Sequence, residues 1–93
     1  MNTQMKMKVK NLKSSRGNKV ANHFEVRTSE GVFFQSYNSL ICFIANDGKI
    51  TLDTEYWNYS KTTSKYRSQF LGESTKETEA KIKSGEYILT DLN

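Results

Sequence analysis

A chain of 93 residues holds one domain, with room for a single core and none for a second independent unit. Its 35% hydrophobic content is modest, but 12% of the residues are aromatic, and each buried ring removes roughly 150–250 Å² from water, so a folded chain is expected. A lone histidine and a lone cysteine exclude a zinc quartet and an internal disulfide, and no Cys-His or Ser-His-Asp pattern surrounds them.

In chain order, "MKMKVKNL" alternates Met5, Met7 and Val9 with Lys6, Lys8 and Lys10, the period of a half-buried strand. Its outer face would be a ladder of lysines about 6.6 Å apart. Such a ladder either guards an edge strand against aggregation or meets a phosphate backbone. "SSRGNK" supplies a turn, and residues 1–20 read as a basic N-terminal strand and turn.

Residues 20–55 read as β-hairpins. "HFEVRT" and "GVFFQSY" flank "SEG", and "SLICFIAN" and "KITLDT" flank Asn46-Asp47-Gly48, whose Asp-Gly pair suits a tight hairpin turn. Cys42 lies in the apolar run "LICFIA" and is expected to be a buried, reduced thiol, as in a cytoplasm. His23 is expected to be a packed or surface residue. Asp53 and Glu55 are expected to be solvated or capping acids.

"YWNYSKTTSKYRSQF", residues 56–70, allows two readings. As a strand it would present Tyr59, Lys61, Lys65 and Arg67 on one face for bases and phosphates. As a helix it would bury Thr63, Tyr66 and Phe70 on one stripe and turn Lys61 and Lys65 outward. The 3.6-residue period and Gly72 favour a helix over 63–71 with Thr62 as N-cap. Its start, with hydroxyls and lysines beside Trp57 and Tyr59, could seat a phosphate. Ser74 and Glu77 have capping-box spacing and Gly85 suits a helix end, so residues 62–85 read as helical and 86–92 as a closing strand.

The fold class expected is therefore α+β: a single domain, 1–93, with an antiparallel sheet of five to six strands and one or two short C-terminal helices on one face.

The +4 charge is unevenly placed. Residues 1–22 carry six cations and no acid, 23–60 sum to −3, 61–68 to +3 and 69–93 to −2. Two basic islands in an acidic background attract polyanions. The candidate contacts for a partner or nucleic acid are Lys6, Lys8, Lys10, Lys13, Arg16 and Lys19 in the first island. Trp57, Tyr59, Lys61, Thr62, Lys65 and Arg67 form the second. No catalytic residue, metal ligand or cofactor is expected, nor any signal peptide or membrane span.

The pieces "FFQSYNS", "LD" before "YW", "TTSKYR" with "FLG", and "IKSGEY" resemble a family of small proteins of unknown function from phages, prophages and other mobile elements, over about residues 22–93. By class analogy, the resemblance implies a non-enzymatic inhibitor of a host defence system, similar to anti-CRISPR proteins, in the host bacterial cytoplasm. The implied partner is a host defence protein or ribonucleoprotein complex, with homodimerisation open. Two other functions suit the same residues: a DNA- or RNA-binding accessory protein, and a sponge for a nucleotide second messenger.

Overall fold

A computed structural model of the chain describes residues 7–93. Six strands and two helices follow in the order β1 (Lys8–Lys13), β2 (Lys19–Thr28), β3 (Gly31–Ser36), β4 (Ser39–Ala45), β5 (Ile50–Asp53), α1 (Lys61–Leu71), α2 (Thr75–Ser84) and β6 (Ile88–Thr90). They form one six-stranded sheet in sequence order, with the helices on one face, an α+β domain.

The first five strands are an antiparallel meander, because each connection is too short for anything but a hairpin. β6 departs from the expected antiparallel sheet: it pairs with β5 in parallel, since α1 and α2 carry the chain back to the end at which β5 began. Asp53 closes this junction. Its carboxylate accepts from the backbone N–H of Glu55 (3.0 Å), Tyr56 (2.8 Å) and Leu92 (2.8 Å) and from Asn93 Nδ2 (3.0 Å). Burial alone would raise its pKa, but these donors hold it below the ordinary carboxylate value. Asp53 is thus a buried capping acid, not a solvated one.

Residues opposed across strands share a face, so two rows describe the sheet. On the helix-covered face, Lys10, Glu25, Phe34, Cys42, Leu52 and Leu89 stand in one row. Phe34, Cys42 and Leu52 are fully buried there, with Ile41, Leu12, Tyr66 and Tyr87 around them and Phe70 stacked on Phe34 at 5.7 Å. A register shift in β4 lets neighbouring Ile41 and Cys42 both enter this core. On the other face the row is Val9, Val26, Phe33, Phe43, Thr51 and Ile88.

The alternation in "MKMKVKNL" therefore works the opposite way from the expectation. Met7 and Val9 are 57% and 58% exposed on the bare face, while Lys8 and Lys10 lie on the helix side, beyond the helices' reach. Leu12 follows Lys8 and Lys10 on the helix side of β1 and is the residue of that row that reaches the core. Met5 and Lys6 lie outside the described residues.

α1 begins two residues earlier than its expected start. Ser60, not Thr62, is the N-cap: its Oγ accepts from Thr63 N at 3.1 Å, and Thr62 is an exposed residue of the first turn. Thr63, the better-buried residue, fixes that phase by facing the sheet. α2 has the expected capping box between Ser74 and Glu77, and Gly72 and Gly85 end the two helices in left-handed conformations.

Candidate functional site: a basic ridge and a hydroxyl-lined cleft

The two basic islands meet. Lys61, Lys65 and Gln69 stand at i, i+4 and i+8 on one stripe of α1, all exposed. Gln69 Nε2 donates to Lys13 O at 2.6 Å, docking the end of that stripe on the β1–β2 hairpin. That hairpin carries Lys13, Arg16 and Lys19, also exposed. α1 contains no acid, and among the described residues no carboxylate lies within ion-pair distance of these five cations. Lys65 Nζ instead sits 5.3 Å from the Tyr66 ring. The outcome is a solvated basic ridge across two elements.

Lys8 and Lys10 join a different group. Glu25 on β2 lies 3.4 Å from Lys10 Nζ and 3.4 Å from Arg27 Nη2, so one carboxylate offsets part of this cluster. The sequence reading missed Arg27, which the hairpin register alone sets opposite Lys8. A groove of about 320 Å³ separates Glu25 and Arg27 from Gln69 and Phe70 of α1.

Arg67 is not a surface contact. Thr63, Tyr66, Arg67 and Phe70 fall at i, i+3, i+4 and i+7, so the residue next to Tyr66 faces inward and is fully buried. Its Nη1 donates to Trp57 O (2.6 Å) and Asn58 Oδ1 (3.3 Å), and its Nη2 to Thr75 Oγ1 (2.6 Å) and Ser68 Oγ (3.3 Å). The guanidinium carbon is 5.2 Å from the Trp57 ring. Burial lowers its pKa, and Nε has no partner. Arg67 ties the Trp57–Asn58 segment to both helices. Trp57, half-buried against the core under that guanidinium, likewise leaves the set of outward rings.

Tyr59 is 69% exposed and stacks edge-on to Tyr56 at 5.4 Å. The two rings flank a cleft of about 450 Å³ at the N-terminus of α1, closed on the far side by Ser36, Tyr37, Ser39 and Ile41 of the β3–β4 hairpin. Behind its Ser36 wall, His23 Nδ1 lies 2.9 Å from Ala21 O and so carries the proton. Nε2 is left to accept from Ser36 Oγ at 3.2 Å, which in turn accepts from Thr63 Oγ1 at 3.1 Å. His23 is therefore a packed residue whose capacity is filled. Tyr37 adopts φ 54°, an uncommon conformation for a tyrosine, and hydrogen-bonds through its N–H to Asn22 O at 2.6 Å.

A third polar cluster is structural. Glu73 accepts from Thr78 Oγ1, from Tyr87 Oη at 2.6 Å and from Lys81 Nζ at 2.9 Å. Burial opposes ionisation of Glu73, but these donors bring its pKa below the ordinary value. Tyr87, buried and hydrogen-bonded to Glu73, is pushed up to about 12.

Among the described residues no group of three His, Cys, Asp or Glu side chains could hold a metal ion. No helix there is long and apolar enough to cross a membrane. The model of a family of unknown function (DUF8033) matches residues 7–87, so the match takes in β1 as well as the rest of the sheet and both helices. No curated protein and no solved structure matches the chain.

Proposed function

Because the chain belongs to this family of unknown function (DUF8033), we propose its role from its own residues: a non-enzymatic binding protein that engages a polyanion through Lys13, Arg16, Lys19, Lys61 and Lys65. The observation that carries this reading is the hydrogen bond from Gln69 to Lys13, which joins two basic islands far apart in sequence into one ridge with no acid. Several cations on adjoining elements, unpaired by the fold, support phosphate-backbone binding. The sequence resemblance to phage and mobile-element proteins supplies the setting. In that setting the ridge occludes a nucleic-acid or effector surface of a host defence complex, in the host cytoplasm.

The test has two arms. Labelled DNA and RNA titrated at low and moderate salt should bind with an affinity that falls steeply as salt rises. Affinity purification from a host lysate should retain a component of a nucleic-acid-targeting defence system, and expression should weaken that defence. Binding to nucleic acid with no effect on defence would favour the DNA- or RNA-binding accessory reading. No binding in either arm overturns both.

The cleft at the start of α1 favours a second reading. Its hydroxyls from Ser36, Ser39, Ser60 and Thr63, beside the Tyr59 ring, match the sugar, phosphate and base of a nucleotide. A thermal-shift panel of linear and cyclic nucleotides tests it, because a ligand that binds only the folded chain raises its melting temperature. No shift at saturating concentration removes this reading.

A further inference from the structure

The helices cover one face of the sheet, and the other has a composition of its own. The row Val9, Val26, Phe33, Phe43, Thr51 and Ile88 crosses all six strands without a charge. The next row, Asn11, Phe24, Gln35 and Leu40, is uncharged too. Asp53 is the one acid whose register points this way, and its carboxylate is held by the four donors at the strand end. None of the apolar side chains in these rows except Val26 is buried: Val9 and Ile88 are 58% and 60% exposed, and Phe33 and Phe43 lie half-buried with centroids 4.3 Å apart.

Gly31 leaves room on this face for the Phe43 ring. At φ 153° it lies under Phe43, and a Cβ there would stand 2.8 Å from the ring. The ring thus lies down over the sheet.

We propose that this face is a self-association surface on which a second copy of the chain packs, sheet against sheet, into a two-fold dimer. The absence of charge selects the occupant. In a two-fold contact the same patch meets itself, so any cluster of like charges would oppose its own image. The chain carries +4, yet these two central rows carry none of it: Lys13 and Lys49, whose register also points this way, stand only at the strand ends. A nucleic acid is disfavoured for the same reason, since the two central rows offer no cation to a phosphate.

Size agrees. Five spacings of about 4.8 Å by strands of about 20 Å give roughly 500 Å² per copy and roughly 1,000 Å² in the pair, near the lower bound for a specific interface. Two twisted sheets stacked about 10 Å apart would put the rings of one copy against those of the other. Both helical layers, with Lys61 and Lys65 of each copy, would remain outward, so the mass of the assembly is read separately from any binding by those lysines.

The full chain should be examined by sedimentation equilibrium from micromolar to millimolar concentration. The expected result is a mass of two chains at the upper end. Val9→Lys with Ile88→Lys, both at exposed positions, should give one chain's mass with unchanged circular dichroism. Phe43→Lys should do the same, but it risks the fold, so the exposed pair is the deciding variant. A wild type that stays monomeric throughout overturns the proposal. So does a dimer that survives the exposed pair but dissociates with Lys10→Pro, which would place the contact along the β1 edge instead.

Discussion

α1 and α2 follow one another on the same face of the sheet and are nearly equal in length, at 11 and 10 residues, yet they handle charge in opposite ways. In α2, Lys81 is 2.9 Å from Glu73, Lys83 is 3.7 Å from Glu79 at i, i+4, and Glu77 closes the capping box, which leaves Lys76 alone of its three lysines without a carboxylate among the described residues. In α1 there is no acid at all. Its single inward cation, Arg67, is held by neutral oxygens, and its outward cations, Lys61 and Lys65, have no carboxylate partner among the described residues. Charges that a fold uses are paired or capped. The outward charges of α1 form no ion pair among the described residues, Lys65 resting only against the Tyr66 ring, and that leaves them available to a partner.

The sharpest way to break this contrast is to remove the cation that α1 does use. Arg67→Ala should cost about 3–5 kcal/mol in chemical denaturation, because Trp57 O and Thr75 Oγ1 lose a buried donor and the Trp57 ring loses its cover. A loss no larger than that of an exposed lysine would mean that Arg67 is not the tie between the helices. Glu73→Ala should cost somewhat less, about 2–3 kcal/mol, since Tyr87, Thr78 and Lys81 would lose one shared acceptor.

The pH dependence of stability tests the same cluster with a smaller effect. Glu73 and Asp53 have folded pKa values below their ordinary ones, so the stability they contribute is present above the ordinary carboxylate range and is lost as pH falls through their depressed values. Tyr87 has the opposite sign: its pKa rises from 10.0 to about 12, so its contribution is complete below 10.0 and lost as pH climbs through about 12. Denaturation midpoints measured at both extremes should show both losses. Glu73→Gln should shrink the acid-side loss.

The smallest stability effect belongs to the ridge. Lys61→Ala and Lys65→Ala should each change stability by less than about 0.5 kcal/mol, in keeping with their exposure and lack of ion pairs. Parity with Arg67→Ala would collapse the distinction between used and available cations.

Local signals in the sequence reach a long way here. The Asp-Gly turn, the capping box from Ser74 to Glu77 and the glycines at 72 and 85 each specify a backbone conformation by themselves, and the hairpins and helix ends follow from them. What they do not carry is direction. Whether β6 runs parallel depends on how many helices intervene before it returns, which no local pattern states. The facing of Met7, Val9 and Lys8 depends on the β1–β2 register, which sets Val9 opposite Val26 and Lys8 opposite Arg27. Arg67 was within reach: its place in the i, i+3, i+4, i+7 series with Thr63, Tyr66 and Phe70 marks it as inward, but a cation in a basic segment reads as outward unless neutral acceptors are foreseen. Those acceptors come from residues 57 and 75, on other elements. The joining of the two basic islands likewise rests on one long-range hydrogen bond, from Gln69 to Lys13.

The central claim, that the ridge is a polyanion-binding surface, is tested most directly by charge reversal. Wild type and the Lys61→Glu/Lys65→Glu variant should be titrated with labelled nucleic acid across a salt series. The wild type should bind with a steep negative dependence of affinity on salt, and the variant should bind weakly with a shallower slope, by about one or more per cation removed. Equal affinity and equal slope for the two proteins, or no binding by the wild type at low salt, would contradict it.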